Sequence, residues 1–111
     1  MVASEHLHPD EFPNPTHNAH PLGEAVLGPG PGGAIEWIPP WRVTSFQKTV
    51  RRGTVDNADP DAAVGVVAYE GTDGEGPVYD LYDGNNRTAA ALEQGRLLIP
   101  AQVLRGLEEE D

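Results

Sequence analysis

The Gly-Asn-Asn-Arg turn at residues 84–87 is the stretch of the sequence whose residue types and spacing most directly suggest chemistry. It stands between a β-type segment and an alanine-rich helical segment, so the first free amides of the helix point beyond the edge of the predicted sheet. Amides in that position bind anions. Gly84 allows a positive φ and a close approach of a ligand to the backbone, and Arg87 adds a permanent charge suited to phosphate. The turn therefore predicts a phosphate-binding site.

The same turn also has a purely structural interpretation. Arg87 in the first turn of a helix opposes the helix dipole at a cost of about 0.3–1 kcal/mol, which either a bound phosphate or a neighbouring acid would offset. In the structural interpretation Asp83 pairs with Arg87, and Asn85 or Asn86 caps the helix. Asp83 could equally hold a Mg²⁺ ion that bridges phosphate oxygens, or simply form an Asp-Gly turn. The residues alone leave these alternatives open.

The composition limits the classes of function. Seven basic residues against 18 acidic ones give a formal charge of −11, which disfavours binding to a nucleic-acid backbone. There is no cysteine, so disulfides, thiolate metal sites and cysteine nucleophiles are excluded. The sequence contains no signal-like leader and no apolar run of membrane-spanning length. We therefore expect a cytoplasmic protein of one domain that does not bind membranes.

Residues 1–33 are rich in proline and glycine and contain no lysine or arginine, which predicts an irregular N-terminal arm. The arm holds all four histidines, which are His6, His8, His17 and His20. Their spacing does not fit a helical ligand pair, so we expect no metal site, the alternative being a site shared with Asp10 and Glu11. The acidic residues 108–111 are predicted to be a frayed tail.

Residues 34–107 predict an α+β domain with a small mixed β-sheet and two main helices. Short β-branched or aromatic segments bounded by turn residues predict the strands. The helix that follows the Gly-Asn-Asn-Arg turn ends at Gly95, and its alanines let the helix axis lie close to a sheet. The strands are predicted over residues 34–38, over 63–69 and 78–83 as a hairpin, and over 96–104, where Pro100 marks an edge strand or a strand end.

Residues 44–52 predict the first of the two main helices. Thr44 and Gln47 have the spacing of a capping box. Phe46 and Val50 would share the buried face of this helix.

Two longer stretches resemble the ParB/sulfiredoxin-like superfamily, over about residues 34–104. Residues 79–104, YDLYDGNNRTAAALEQGRLLIPAQVL, resemble the strand, Gly-x-x-Arg turn, helix and Ile-Pro strand of that superfamily. Residues 35–50, IEWIPPWRVTSFQKTV, resemble its opening strand, proline-bearing turn and first helix. The resemblance implies a ParB/sulfiredoxin-like fold.

The resemblance also implies nucleotide binding, because the Gly-x-x-Arg turn of that superfamily holds CTP in ParB proteins and adenine nucleotides in sulfiredoxin and a serine kinase. It carries phosphate binding onto Gly84, Asn85, Asn86 and Arg87, with Thr88 as a further hydroxyl donor. Asparagine replaces the sulfiredoxin cysteine, which excludes sulfinic-acid reduction. Asn85 also stands where ParB proteins carry a glutamate, which leaves nucleotide hydrolysis in question.

The predicted function is therefore a nucleotide-binding domain, with Mg²⁺ as a companion of the nucleotide and with NTPase or phosphotransferase activity left open. The alternative is a non-catalytic acidic interaction module, a pseudo-enzyme or DNA mimic with a basic protein partner, and a ParB-like nuclease is a minor third possibility. We expect no sequence-specific DNA binding, because the sequence ends where a partition protein begins its helix-turn-helix. Asp80 lies three residues before Asp83 and is predicted on the opposite face of their strand.

Overall fold

A mixed β-sheet positions the Gly-Asn-Asn-Arg turn in the computed structural model, which describes residues 9–28 and 35–107. A short 3₁₀ turn over Pro40–Arg42 precedes the fifth strand. The elements in chain order are β1 (Glu11–Pro13), β2 (Leu22–Ala25), β3 (Leu27–Gly28), β4 (Ile35–Ile38), β5 (Val43–Thr44), β6 (Thr49–Arg51), α1 (Arg52–Asp56), β7 (Val64–Gly71), β8 (Val78–Asp83), α2 (Asn85–Glu93), β9 (Ile99–Leu104) and β10 (Gly106–Leu107).

The main sheet has six strands, in the order β4-β9-β7-β8-β5 with β2 paired to β7. β7 runs antiparallel to β8 and parallel to β9, so Val66 stands opposite Leu81 on one side and Val103 on the other. The valines of β7 form a central strand because their branched side chains are buried on both faces. The predicted α+β class, the mixed sheet, the presence of two helices and the hairpin of β7 and β8 are confirmed, but only α2 lies where a helix was predicted.

The alanines of α2 lie between two apolar clusters. Ala91 packs into the main core, which is formed mostly by β7, β8 and β9. Ala89 and Ala90 pack instead with Val50 and Val55 from β6 and α1. Side chains of this size let the helix approach both layers, as the alanine run predicted.

The ends of the last predicted elements also agree with the sequence. Gly95 has a φ of 69° just beyond α2, and the amide of Arg96 donates to the carbonyl of Ala91 at 3.0 Å, which closes the helix. Pro100 lies at the start of β9, before the pairing with β7 begins at Ala101. The strand-end alternative for Pro100 is therefore confirmed, while β9 itself lies inside the sheet between β4 and β7.

The predicted helix over residues 44–52 is wrong. Thr44 belongs to β5 and stands opposite Asp80 of β8, and the chain is extended again in β6 before the five-residue α1 begins at Arg52. Gln47 does not close a capping box, since its side-chain amide donates to Thr49 O at 2.8 Å. Phe46 is 72% exposed. Pairing with distant strands at both ends of the segment outweighs its local helical pattern.

The predicted irregular arm is also wrong for residues 11–13, 22–25 and 27–28, which form strands, whereas residues 14–21 between them lie outside regular elements. β1 pairs antiparallel with β6, which places Phe12 opposite Val50, and β2 pairs with β7. β3 pairs in parallel with β10. Short strands rich in proline and glycine form here because partner strands supply the hydrogen bonds that the local sequence does not favour.

Several predictions fall on residues outside the described ranges. These are the acidic tail at residues 108–111 and the predicted roles of His6 and His8. Within residues 9–28 and 35–107, no group of three or more histidine, aspartate and glutamate side chains is arranged to hold a metal ion. No helix of the same ranges has the length and apolar character needed to cross a membrane.

Asn14 fastens the N-terminal segment to the rest of the fold and is only 4% exposed. Its Oδ1 accepts hydrogen bonds from the amide and the hydroxyl of Thr16, at 3.0 and 2.8 Å. Its Nδ2 donates to Gln47 O at 2.9 Å and to Asn85 Oδ1 at 3.0 Å. A single buried side chain thus joins the segment after β1, the segment before β6 and the first residue of α2.

Asn14→Ala is expected to lower the free energy of unfolding by about 1–3 kcal/mol, because it leaves buried hydrogen-bonding groups without partners. Urea denaturation measures this loss. Asn57→Ala is the matched control, since the Asn57 amide donates to Gly53 O at an exposed site, and it should cost less than about 1 kcal/mol. Equal losses for the two variants would show that Asn14 does not anchor the segment.

The loop between β7 and β8 is held by the nearly buried Arg42. Its Nη1 and Nη2 donate to the two carboxylate oxygens of Asp73 at 2.9 and 3.1 Å, and Nη2 also donates to Gly76 O at 2.9 Å. The hydrogen bond from Arg42, together with one from the amide of Glu75, holds the pKa of Asp73 well below its usual value. A similar two-point pair with Arg105 lowers the pKa of Glu36.

These lowered pKa values predict acid sensitivity. A carboxylate whose pKa is lower in the folded protein stabilises the fold above its unfolded pKa, and this contribution is lost as the pH falls toward the folded pKa. The free energy of unfolding should therefore decrease below about pH 4. Asp73→Asn should make the decrease smaller when urea denaturation is repeated across the acid range, whereas Glu24→Gln, an exposed acid on β2, should leave it unchanged.

Candidate functional site

A cavity of about 890 Å³ opens at the N-terminus of α2. Its wall includes residues 83–87, which are five of the six residues predicted to bind phosphate. Residues from β6 and α1 complete much of the remaining wall, among them Arg51, Gly53 and Thr54. The predicted turn therefore borders an open space large enough for a small-molecule ligand.

Gly84 is required by the fold of the turn. It has a φ of 109°, in the left-handed region, and it is the N-cap residue of α2. A Cβ atom at this position would lie 2.6 Å from Cγ1 of Val64, so the missing side chain makes room for the sheet. Its carbonyl accepts the amide of Thr88 at 2.9 Å and the hydroxyl of Thr88 at 3.0 Å.

Asn85 is committed to contacts inside the protein. Its Oδ1 accepts a hydrogen bond from Ser45 Oγ at 2.6 Å as well as the one from Asn14. α2 has no side-chain capping hydrogen bond at its N-cap, so Asn85 does not cap it. Asn86 is half-buried and lines the cavity.

Arg87 makes the contacts expected for its structural role and still borders the cavity. Its Nη1 donates to Ala63 O at 3.0 Å and lies 3.8 Å from Asp83 Oδ2. The side chain is 36% exposed. Since a guanidinium carries several N–H donors, the bond to Ala63 leaves others for a ligand. Thr88 differs, because it is fully buried and lies outside the cavity wall.

Two helix N-termini lie at this cavity, and within the described ranges only that of α1 has a carboxylate hydrogen-bonded to a backbone amide. The amide of Gly53 in α1 donates to the carboxylate of Asp10, at 3.1 and 3.3 Å to its two oxygens. α2 has no acidic residue in its first turn and no side-chain cap. The first-turn amides of an α-helix have no partners within the helix, so those of α2 can donate to an anion next to Arg87.

Arg51 and Tyr82 also line the cavity, although neither was among the predicted site residues. Arg51 was placed in a helix, whereas it ends β6, is exposed and makes no ion pair with any acid in the described ranges. Tyr82 is 53% exposed, and its ring covers Gly65 of the neighbouring strand, where a Cβ atom would lie 2.5 Å from it. Gly65 within a valine-rich strand was a signal for such a cross-strand aromatic contact.

Gly84→Ala is expected to destabilise the protein by at least about 2 kcal/mol, because it adds a clash with Val64 to the strain of a positive φ. Gly95→Ala is the matched control, since Gly95 also has a positive φ but has nothing within 4 Å of a built Cβ. It should cost only about 1 kcal/mol. If urea denaturation gives equal losses for the two variants, packing against Val64 is not the reason for glycine at 84.

Comparison with known proteins adds no assignment to this site. No protein-family model matches the chain, and no curated protein matches it. The resemblance to the ParB/sulfiredoxin-like superfamily therefore stays a prediction.

Proposed function

We propose that the protein binds a nucleotide, with its phosphates at the N-terminus of α2. The observation that carries this proposal is an uncapped nine-residue helix whose first turn faces a cavity lined by Arg51 and Arg87. In the bound state, the amides of residues 85–87 donate to phosphate oxygens and the two guanidinium groups neutralise their charge. The cavity volume of about 890 Å³ is in the range of small-molecule pockets.

The positive charge needed for phosphate is local. The whole chain carries a formal charge of −11, and Asp10, Asp59 and Asp83 also line the cavity. A Mg²⁺ ion bound with the nucleotide reduces the repulsion between these carboxylates and the phosphates, and Asp83 is the residue closest in sequence to the turn that offers it an oxygen ligand. We therefore propose the nucleotide–Mg²⁺ complex as the ligand.

Tyr82 provides a surface for the base or the ribose. Its half-exposed ring borders the same cavity as Arg87 and is supported from below by Gly65. Aromatic rings stack on all nucleobases, so this contact favours nucleotides over inorganic phosphate without selecting one base.

The proposal is for binding and assigns no catalytic residue. ParB proteins carry a glutamate where this chain has Asn85, and the Asn85 side chain accepts hydrogen bonds from Ser45 and Asn14. An amide held in this way cannot take a proton from an attacking water. A ParB/sulfiredoxin-like fold with a nucleotide-binding turn is compatible with these contacts and is part of the proposal.

Isothermal titration with ATP, CTP and GTP in the presence of Mg²⁺ tests the proposal, and we expect saturable binding of at least one of them. Arg51→Gln should weaken that binding by about tenfold or more, the scale of one hydrogen bond to a charged group, without affecting the fold. Lys48→Gln is the matched control, because Lys48 is also an exposed cation but lies outside the cavity wall. Arg87→Gln is less informative alone, since it also removes the hydrogen bond to Ala63.

Two outcomes would contradict nucleotide binding. One is the absence of heat with all three nucleotides in protein that is folded by circular dichroism. The other is an equal loss of affinity in Arg51→Gln and Lys48→Gln, which would mean that the ligand responds to overall charge and does not occupy the cavity.

A second candidate function is a non-catalytic acidic module that binds a basic protein. It is favoured by the formal charge of −11 together with the exposed aromatic side chains Trp37, Trp41 and Phe46. Aromatic residues are enriched in protein interfaces, and an acidic surface attracts basic partners at long range.

A further inference from the structure

A second cavity, of about 380 Å³, lies between the N-terminal segment and β8. It shares no wall residue with the cavity at α2. The N-terminal segment contributes residues 18 and 20–22, residues 44–46 form another part of the wall, and Asp80 of β8 completes it. Much of the wall is apolar, because Pro21, Leu22 and Phe46 line it.

Asp80 has no counterion in the part of the chain that the structure describes. Its Oδ1 is buried and lacks a hydrogen-bond partner within residues 9–28 and 35–107, and no cation of these ranges lies within ion-pair distance of it. Burial raises the pKa of the Asp80 carboxyl above its usual value. A carboxylate held in an apolar wall without a partner costs free energy, which a cation would recover.

Most of the other polar side chains of this wall have hydrogen-bond partners. His20 Nε2 donates to Trp41 O at 2.6 Å, and the His20 amide donates to Thr44 Oγ1 at 3.3 Å. Ser45 Oγ donates to Asn85 Oδ1 at 2.6 Å. The charge of Asp80 is therefore the main polar feature that the cavity offers to a ligand.

We propose that this cavity receives a lysine side chain of a basic partner protein, with the ammonium group on Asp80 Oδ2 and the aliphatic stem between Leu22 and Phe46. Since Oδ1 is buried, a ligand in the cavity has at most one carboxylate oxygen to bind, and a compact ammonium group fits one oxygen better than the two-point fork of arginine. The Phe46 ring is 72% exposed at the cavity wall and can cover a (CH₂)₄ stem.

The surface around this cavity favours a lysine that belongs to a protein over free lysine. The formal charge of −11 attracts a basic surface, and Phe46 and Trp41 supply exposed aromatic area beside the charge. The proposal does not rest on nucleotide binding, and it gives the second candidate function a specific point of contact.

The test uses N-acetyl-lysine N-methylamide as the probe, titrated into the isotope-labelled full chain and followed by backbone amide shifts in NMR spectra. We expect saturable shifts at Leu22, Phe46 and Asp80. N-acetyl-norleucine N-methylamide, which has the stem without the ammonium group, should bind at least about tenfold more weakly. The arginine analogue should also bind more weakly than the lysine probe.

Asp80→Asn keeps the shape of the side chain and should weaken binding of the lysine probe by at least about tenfold. Glu24→Gln removes the same charge from an exposed site on β2 and should have no effect. Phe46→Ala removes an exposed ring, so the fold is kept, and it should weaken binding of both the lysine and the norleucine probes.

Three results would overturn the proposal. The first is the absence of saturable shifts with the lysine probe. The second is equal affinity for the lysine and norleucine probes. Both comparisons use the unmodified chain and do not depend on whether Asp80→Asn folds. The third is an equal effect of Asp80→Asn and Glu24→Gln, because it would mean that the probe responds to the net charge of the surface.

Discussion

The side-chain amide of Asn14 is the contact on which the arrangement of the rest of the structure depends. It accepts and donates at once, and it does so at a point where three segments far apart in the sequence meet. Regular strands in this region are only two to four residues long, so backbone pairing alone supplies few hydrogen bonds. A buried side chain that uses both of its polar atoms fixes the position of these short elements, because any shift would leave a polar group buried without a partner.

This contact also decides what the first turn of α2 can offer to a ligand. The side-chain oxygen of Asn85, Oδ1, accepts hydrogen bonds from Asn14 and Ser45, so the Asn85 side chain is directed into the protein. The chemistry on the cavity side comes instead from the backbone amides, from Asn86 and from Arg87. Although the sequence of the turn suggests several binding side chains, the groups that it presents to the cavity are mainly backbone amides, Asn86 and one cation.

Arg51 is one of the few basic residues whose charge is not matched by an ion pair within the described ranges. All seven basic residues lie in the described ranges, and five of them form ion pairs with acids there, namely Arg42, Arg52, Arg87, Arg96 and Arg105. Lys48 and Arg51 are the two that do not. Paired arginines contribute little electric field at a distance, so the net negative charge of the chain repels a large polyanion. A small anion inside the cavity would still be close to Arg51 and Arg87.

The sequence was sufficient where short-range pattern and structure agree. Strand β7, the hairpin to β8, the turn at Gly84 and the end of α2 at Gly95 follow from valine content, turn residues and glycine, which act locally. It failed at residues 44–52 and in the N-terminal segment, where strands form because of partners 36 to 79 residues away. The prediction of the cavity wall was affected as well, because Arg51, which lines the cavity, lies in β6 and pairs with β1.

The two cavities lie on either side of a single hydrogen bond. β8 carries Asp80 into one cavity and Asp83 into the other, as their spacing of three residues along a strand requires. Ser45 lines the cavity of Asp80, yet its hydroxyl donates its one proton to Asn85, which lines the cavity of Arg87. A rotation of the Ser45 hydroxyl away from Asn85 would remove this hydrogen bond, so a side chain in the wall of one cavity helps to hold the first residue of α2 at the other cavity.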